Sequence, residues 1–239
     1  MKILTKGTLK LFDWFLITGA VTFNIIYSTL SGEFDIIGSI ASVTGVVCVV
    51  LVAKRSISNY IFGIINVSLY ACISYKSRLY GDFALNAFYY LPMQFIGWAM
   101  WVKKKGDLNS KGQMDQSIVK SRIMKWRKRL LLVLACAATI FLTGFLLQCY
   151  TADPQPYKDS ATTVLSIIAM FLMVRQYTEQ WILWAIVNII SILMWMFLWI
   201  SDGSHAGLMV IMYVFYLANS INGLVVWNNA AIKDTGLKV

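Results

Sequence analysis

Four apolar stretches of the chain carry amides and aromatic rings at helical spacing. Residues 82–102 contain Asn86, Tyr90, Gln94, Gly97 and Trp101, separated by four, four, three and four positions. Residues 181–200 contain Trp181, Trp184, Asn188 and Ser191, and residues 59–75 contain Asn59, Phe62, Asn66 and Tyr70. Residues 206–227 contain Tyr213, Tyr216 and Asn219, with Ser220 and Asn222 beside them. On a helix each set shares one face. Rings stack on a planar heterocycle, and an indole face also attracts a cationic ring. Amides hydrogen-bond hydroxyls and carboxamides. No carboxylate or basic side chain stands in the middle of these four stretches. A proton-coupled carrier needs an ionisable relay at membrane depth. The pattern therefore suits an uncoupled path for a neutral or weakly cationic ligand.

Each residue also has a plainer role open to it. A single Asn or Gln clamps neighbouring helices. Trp98, Trp101, Trp199 and Trp227 stand near stretch ends, where tryptophan anchors a helix at the interface. Trp181 is open to either reading, and Trp184 lies deeper in its stretch. Pro92, beside Gln94, removes a backbone donor and bends a helix. It is either a static kink or a gating hinge. Taken as a set, Gln94, Asn66 and Asn188 point to a ligand rather than to glue.

Catalytic chemistry is not supported. His205 is the one histidine and has no Cys, Glu or second His nearby in sequence to complete a metal site. No G-x-S-x-G, Walker A or G-x-G-x-x-G motif occurs. The chain is expected to be no enzyme and to need no cofactor or metal. Cys48, Cys72, Cys136 and Cys149 form no C-x-x-C pair and read as small hydrophobes within or beside apolar segments.

The elements that must position these stripes are membrane helices. Hydrophobic residues make up 59% of the 239-residue chain and charged residues only 13%. That is about half the charged share of a soluble domain, too little polar surface to meet water. Eight spans are expected, at 11–30, 34–53, 59–75, 82–102, 130–148, 161–174, 181–200 and 206–227. The first, with Lys2, Lys6, Lys10 and Asp13 at its start, could instead lie in the interface. No small-residue cleavage site follows it, so no cleaved leader is expected.

Basic residues set the orientation. With the N-terminus in the cytoplasm, eighteen Lys and Arg fall inside and only Lys76, Arg78 and Lys158 outside. Both termini are then cytoplasmic. The outer loops collect Glu33, Asp35, Asp82, Asp153, Asp159 and Asp202. The net charge of +10 is spread over span flanks rather than one folded face, so it argues for topology and against nucleic acid. The basic stretch 103–129 reads as a cytoplasmic linker with a membrane-surface helix ending in KWRKRL.

An internal repeat is also legible. Tyr90, Leu91, Gly97 and Trp101 match Tyr216, Leu217, Gly223 and Trp227 at an offset of 126, and Asn66 matches Asn188 at 122. The expected fold is an all-α integral membrane protein. Two parallel three-helix bundles are joined by a linking helix, in a 3+1+3 order, with an additional N-terminal helix. Parallel repeats of this kind build transporters, with the site between the halves. The divisions are 1–32, the N-terminal helix; 33–102, the first bundle; 103–129, the basic loop; 130–150, the linking helix; 151–228, the second bundle; and 229–239, the tail.

At LYGDFALNAFYYLPMQFIGWAMW, QWILWAIVNIISILMW and YLANSINGLVVW the chain resembles the PnuC family of vitamin transporters. The resemblance runs from about residue 34 to 227. It implies the 3+1+3 arrangement of full-length SWEET sugar transporters, in a bacterial inner membrane. It implies import of nicotinamide riboside by facilitated diffusion, trapping by phosphorylation inside, and a homo-oligomer, as a trimer. Carried onto this sequence, the binding residues are Trp184 and Asn188, with Trp181, and Asn86, Tyr90 and Gln94 from the other bundle; Asn66 joins them by repeat symmetry. Tyr216 and Asn219 complete the candidates from the last stripe. Thiamine and riboflavin carriers share the architecture and remain alternatives, as does a receptor that binds without transport.

Overall fold

A computed structural model of the protein describes residues 9–31, 35–76, 80–110, 121–150, 156–202 and 206–235. Lys2, Lys6, Glu33, Arg78, Asp153, His205, Lys238 and the stretch 111–120 lie outside the described residues. The helices are α1 (Leu11–Ser31), α2 (Ile36–Ala53), α3 (Asn59–Lys76), α4 (Tyr80–Ala84), α5 (Leu91–Ser110), α6 (Trp126–Tyr150), α7 (Pro156–Val174), α8 (Gln180–Asp202) and α9 (Ala206–Thr235). A π-helical segment, Leu85–Tyr90, joins α4 to α5 without a break. Counting that rod once, the described helices follow the expected order of one, three, one and three.

Pro92 explains the π segment. Its nitrogen carries no hydrogen, so it cannot bond to the Phe88 carbonyl four residues back. The turns just ahead widen instead: the Leu91 N–H reaches the Asn86 carbonyl, five residues back.

Six helices are long and apolar enough to cross a membrane by length and composition: α1, α2, α6, α7, α8 and α9. The other two expected spans, α3 and the rod from 80 to 110, fall short of that mark. Asn59, Asn66, Ser68, Ser74 and Lys76 dilute α3, and the π segment divides the rod, whose end runs into Lys103–Lys105. These are the helices that carry much of the polar stripe, so their low hydropathy and their place beside the cavity have one cause.

Helix α1 packs as a spanning helix does. Leu16 and Ala20 are fully buried in a core shared with α2, α8 and α9. Further along, the Asn24 amide donates to Ser42 Oγ of α2 at 3.1 Å. At its start, Asp13 is buried and pairs with Lys54 at 2.5 Å. A helix lying in the interface would not bury one face against a bundle along its length.

The two bundles meet along two seams. Helix α2 packs on α9, and α7 packs on α5 and the π segment. Within each bundle, α2 packs on α3 and α3 on the α4–α5 rod, while α7 packs on α8 and α8 on α9. Helix α1 flanks the α2–α9 seam, and α6 lies against α7.

Helices α2 and α7 end alike. Arg55 (φ 57°) and Gln176 (φ 66°) are the two non-glycine residues with positive φ among the described residues. In each case a Schellman pair of bonds closes the helix: Ser56 N–H to Leu51 O and Arg55 N–H to Val52 O, then Tyr177 N–H to Leu172 O and Gln176 N–H to Met173 O, all at 2.9 Å. These caps stand 121 residues apart, as do the starts of α3 and α8. On that spacing Asn188 stands opposite Val67, one position beyond Asn66.

Two tryptophans expected as interfacial anchors are instead buried. Trp101 and Trp227 have no exposed surface. The Trp227 indole N–H donates to the carbonyls of Val52 (3.0 Å) and Ala53 (3.1 Å), and the Trp101 indole N–H donates to Val174 O at 3.3 Å. Each ring thus closes one seam at the capped end of α2 or α7. Trp98 and Trp199 keep exposed surfaces, as anchors would.

The KWRKRL motif also differs from expectation. It does not end a separate surface helix: Trp126 opens α6, and Arg127–Leu130 are its first turns. Ahead of it, residues 121–124 are tied to the α7–α8 turn. Arg122 pairs backbone to backbone with Gln176 and Thr178, both at 2.9 Å. Glu179 accepts from Met124 N–H at 2.9 Å and from Arg129 Nε at 2.7 Å. The cysteines are all unpaired; Cys48 and Cys136 are buried, Cys72 and Cys149 exposed.

Candidate binding cavity

A cavity lies between the bundles and encloses about 1010 Å³ of empty space, its open side included. From the first bundle Asn66, Asn86, Tyr90 and Gln94 line it; from the second, Trp181, Trp184, Asn188 and Tyr216 do. Eight of the nine candidate residues are therefore brought together. They come from α3, the 80–110 rod, α8 and α9, so no single element could have formed the site.

Asn219 is the exception. It is fully buried, does not line the cavity, and donates from Nδ2 to Val49 O of α2 at 2.7 Å. The reason is angular. On α9, Tyr213, Tyr216 and Ser220 face the cavity, and Asn219 is turned about 100° from Ser220. That turn aims it at the α2–α9 seam, where it acts as an interhelical clamp.

The lining amides differ in what they already hold. Asn66 donates to Ala41 O at 2.8 Å, and Asn86 donates to Asp82 O of its own helix at 2.8 Å. Asn188 donates to Ser220 Oγ at 3.0 Å, which donates in turn to Tyr216 O at 2.8 Å. These bonds use amide N–H groups and orient the side chains. Gln94 is different: it is 5% exposed and its Oε1 has no partner. The indole N–H of Trp181 is likewise buried without one. Buried polar groups without partners are rare and costly in folded proteins. Both residues line the same cavity, so a polar group entering it could reach them.

Aromatic rings meet along the cavity wall. Tyr90 and Trp184 lie 6.2 Å apart between centroids, tilted by 50°. At the end where α3 and α8 begin, Tyr60, Trp101, Trp227 and Trp181 form, in that order, a chain of rings with centroids 5.3, 6.2 and 6.0 Å apart. At the other end, Trp195 Nε1 and Tyr213 Oη donate to Tyr70 Oη at 3.0 and 3.1 Å. Tyr70 donates to Asp82 Oδ2 at 3.3 Å.

Several contributors were not singled out from sequence. Asp82, read as an outer-loop residue, lines the cavity. Gly63 faces Gln94 so closely that a Cβ there would stand 2.6 Å from Gln94 Oε1. Gly45 leaves room for Tyr216 Oη and Asn66 Nδ2. Glycines are common in membrane helices, so Gly45 and Gly63 carry no signal alone. Gly97 and Gly223, which the stripe and the repeat did pick out, seat the rings of Tyr60 and Trp181. Asp82 did carry one: it stands four residues before Asn86, at the head of the stripe.

Comparison with known proteins gives one answer. A family model described as nicotinamide mononucleotide transporter matches residues 35–229. Nicotinamide riboside transporter PnuC of Neisseria mucosa is 40% identical over 202 residues, spanning 84% of this chain and 74% of that protein. The protein of the same name from Haemophilus influenzae is 32% identical over 188 residues, spanning 79% of this chain and 77% of its own. A solved structure described as the vitamin B3 transporter PnuC superposes with a TM-score of 0.82 at 34% identity, covering 97% of both chains. With this extent of matching and this fold, the chain belongs to the nicotinamide mononucleotide transporter family and is a multi-pass membrane transporter, not an enzyme.

Proposed function

We propose that the chain imports nicotinamide riboside by facilitated diffusion through the cavity between its bundles. The observation that carries the choice of substrate is the cavity's charge. Among the described residues, no lysine, arginine or histidine lines it. A mononucleotide adds a phosphate dianion, which proteins hold with basic side chains or free helix N-termini. The riboside has no phosphate and carries a cationic ring. An amide-and-ring cavity with one carboxylate suits it, and the names of the relatives agree.

In this reading the ring stacks against the aromatic wall made by Tyr90 and Trp184, with Trp181 beside it. The free Gln94 oxygen accepts from the carboxamide. Asn66, Asn188, Asn86 and Tyr216 meet the ribose hydroxyls. Pro92, two residues past the end of the π segment, is the hinge about which the 80–110 rod moves. No gradient drives the step: the middle of the cavity holds no ionisable relay, and net import follows from phosphorylation of the riboside inside. The membrane is the bacterial inner one, with both termini in the cytoplasm. The division at 33–102 and 151–228 separates the two moving halves, and the chain assembles as a homo-oligomer, a trimer.

The test is uptake of labelled nicotinamide riboside into proteoliposomes holding no ion gradient. Equilibration to equal concentrations is expected. A strict need for a proton or sodium gradient would refute the uniport reading. Competition with the mononucleotide, thiamine and riboflavin checks the substrate: stronger inhibition by any of them would displace the riboside. Binding without uptake would make the chain a receptor.

A further inference from the structure

We propose that Asp82 is a charge filter, whose carboxylate makes the cavity select a cationic ring over uncharged and phosphate-bearing solutes. This deepens the reading above and rests on it. Asp82 is the one lining residue of the Asp, Glu, Lys, Arg or His type among the described residues. No lysine or arginine among the described residues forms an ion pair with it. Among the described residues its charge is therefore not spent on a basic neighbour.

The surroundings hold it in place. Tyr70 accepts hydrogen bonds from Trp195 and Tyr213, at 3.0 and 3.1 Å, and has its own O–H left to donate. It points that O–H at Asp82 Oδ2, 3.3 Å away. Two donors feeding one hydroxyl polarise it towards the carboxylate and fix where that group stands. Three helices, α3, α8 and α9, thus converge on the acid. A structural carboxylate would be expected to meet a basic partner, as Asp13 meets Lys54 and Glu179 meets Arg129 in this same chain.

The position fits a filter rather than a direct clamp. Asp82 stands one turn beyond Asn86, two beyond Tyr90 and three beyond Gln94, at the end of the cavity away from the aromatic chain. Walls of low dielectric carry its field along the cavity, where a single charge acts over several ångströms. The field lowers the energy of a cation anywhere in that path and raises that of an anion.

The experiment compares two probes on purified full-length protein by titration. One is nicotinamide riboside, whose ring is a cation. The other is its dihydro form, nearly the same shape but uncharged. The wild type is expected to bind the cation at least about tenfold more tightly. Asp82→Asn is expected to erase most of that ratio by weakening the cation alone, and to relax exclusion of the mononucleotide in competition. Equal binding of both probes by the wild type overturns the filter without any variant. A ratio that survives in Asp82→Asn also overturns it, and assigns the preference to the indole faces. Equal weakening of both probes makes Asp82 structural, which a drop in melting temperature would accompany. If the wild type binds neither probe, the proposed substrate has failed rather than the filter.

Discussion

At the scale of one residue, Gln94 carries much of the proposed binding site. Its oxygen is buried without a partner, while its side chain lies against Gly63. Truncation to alanine removes the acceptor from the ligand and leaves the fold intact. Gln94→Ala is expected to weaken nicotinamide riboside binding by about 1–3 kcal/mol, measured by calorimetric titration. Gly63→Ala approaches the same contact from the other side. A methyl 2.6 Å from Oε1 must push the flexible amide away. Weaker binding with little change in melting temperature is the expected result, and unchanged affinity would place Gln94 outside the site. Both outcomes depend on a close approach between α3 and α5, which no reading of either helix alone provides.

At the scale of elements, the 80–110 rod and α1 make different points. The rod is widened over Leu85–Tyr90 because Pro92 cannot donate, and that segment carries Asn86 and Tyr90 into the cavity. Pro92→Ala restores the missing donor and removes the cause of the wide turns. Slower uptake with binding retained is expected if the rod hinges there; unchanged uptake would make the proline a static kink. Helix α1 depends on a buried ion pair, Asp13 with Lys54. Asp13→Asn leaves a lysine only 10% exposed without its counter-charge. A loss on the order of 3 kcal/mol is expected, read as a lowered melting temperature in detergent.

The whole molecule is two bundles closed against each other at one end by paired indoles. Trp227 bonds into the end of α2 and Trp101 into the end of α7. Tyr60 and Trp181 continue the ring chain towards the cavity. For a solute to leave by that end, these contacts must part. Trp227→Phe keeps an aromatic ring but removes the indole N–H, its bonds to Val52 and Ala53, and part of the buried bulk. A stability loss of about 1–3 kcal/mol is expected in thermal melts. An unchanged melting temperature would show that this indole does not close the seam.

The sequence by itself determined that the chain lives in a membrane, because too few polar residues exist to face water. It also determined the helix order and most of the cavity wall. Polar side chains are costly in lipid, so a stripe of them at helical spacing must face something inside. What the stripe faced was decided only by tertiary structure. Asn219 shares a helix with Tyr216 and Ser220, yet a rotation of one residue sends it to the α2 backbone instead of the cavity. Trp101 and Trp227 stand at span ends, where position alone suggests the interface, but packing across the seams buries them completely. Asp82 stood at a span boundary, where an acid is ordinary. Only the convergence of Tyr70, Tyr213 and Trp195 from three other helices shows that it belongs to the cavity. Period and composition reveal which face of a helix is polar; the partner of that face is set by contacts between residues more than a hundred positions apart, which no local pattern records.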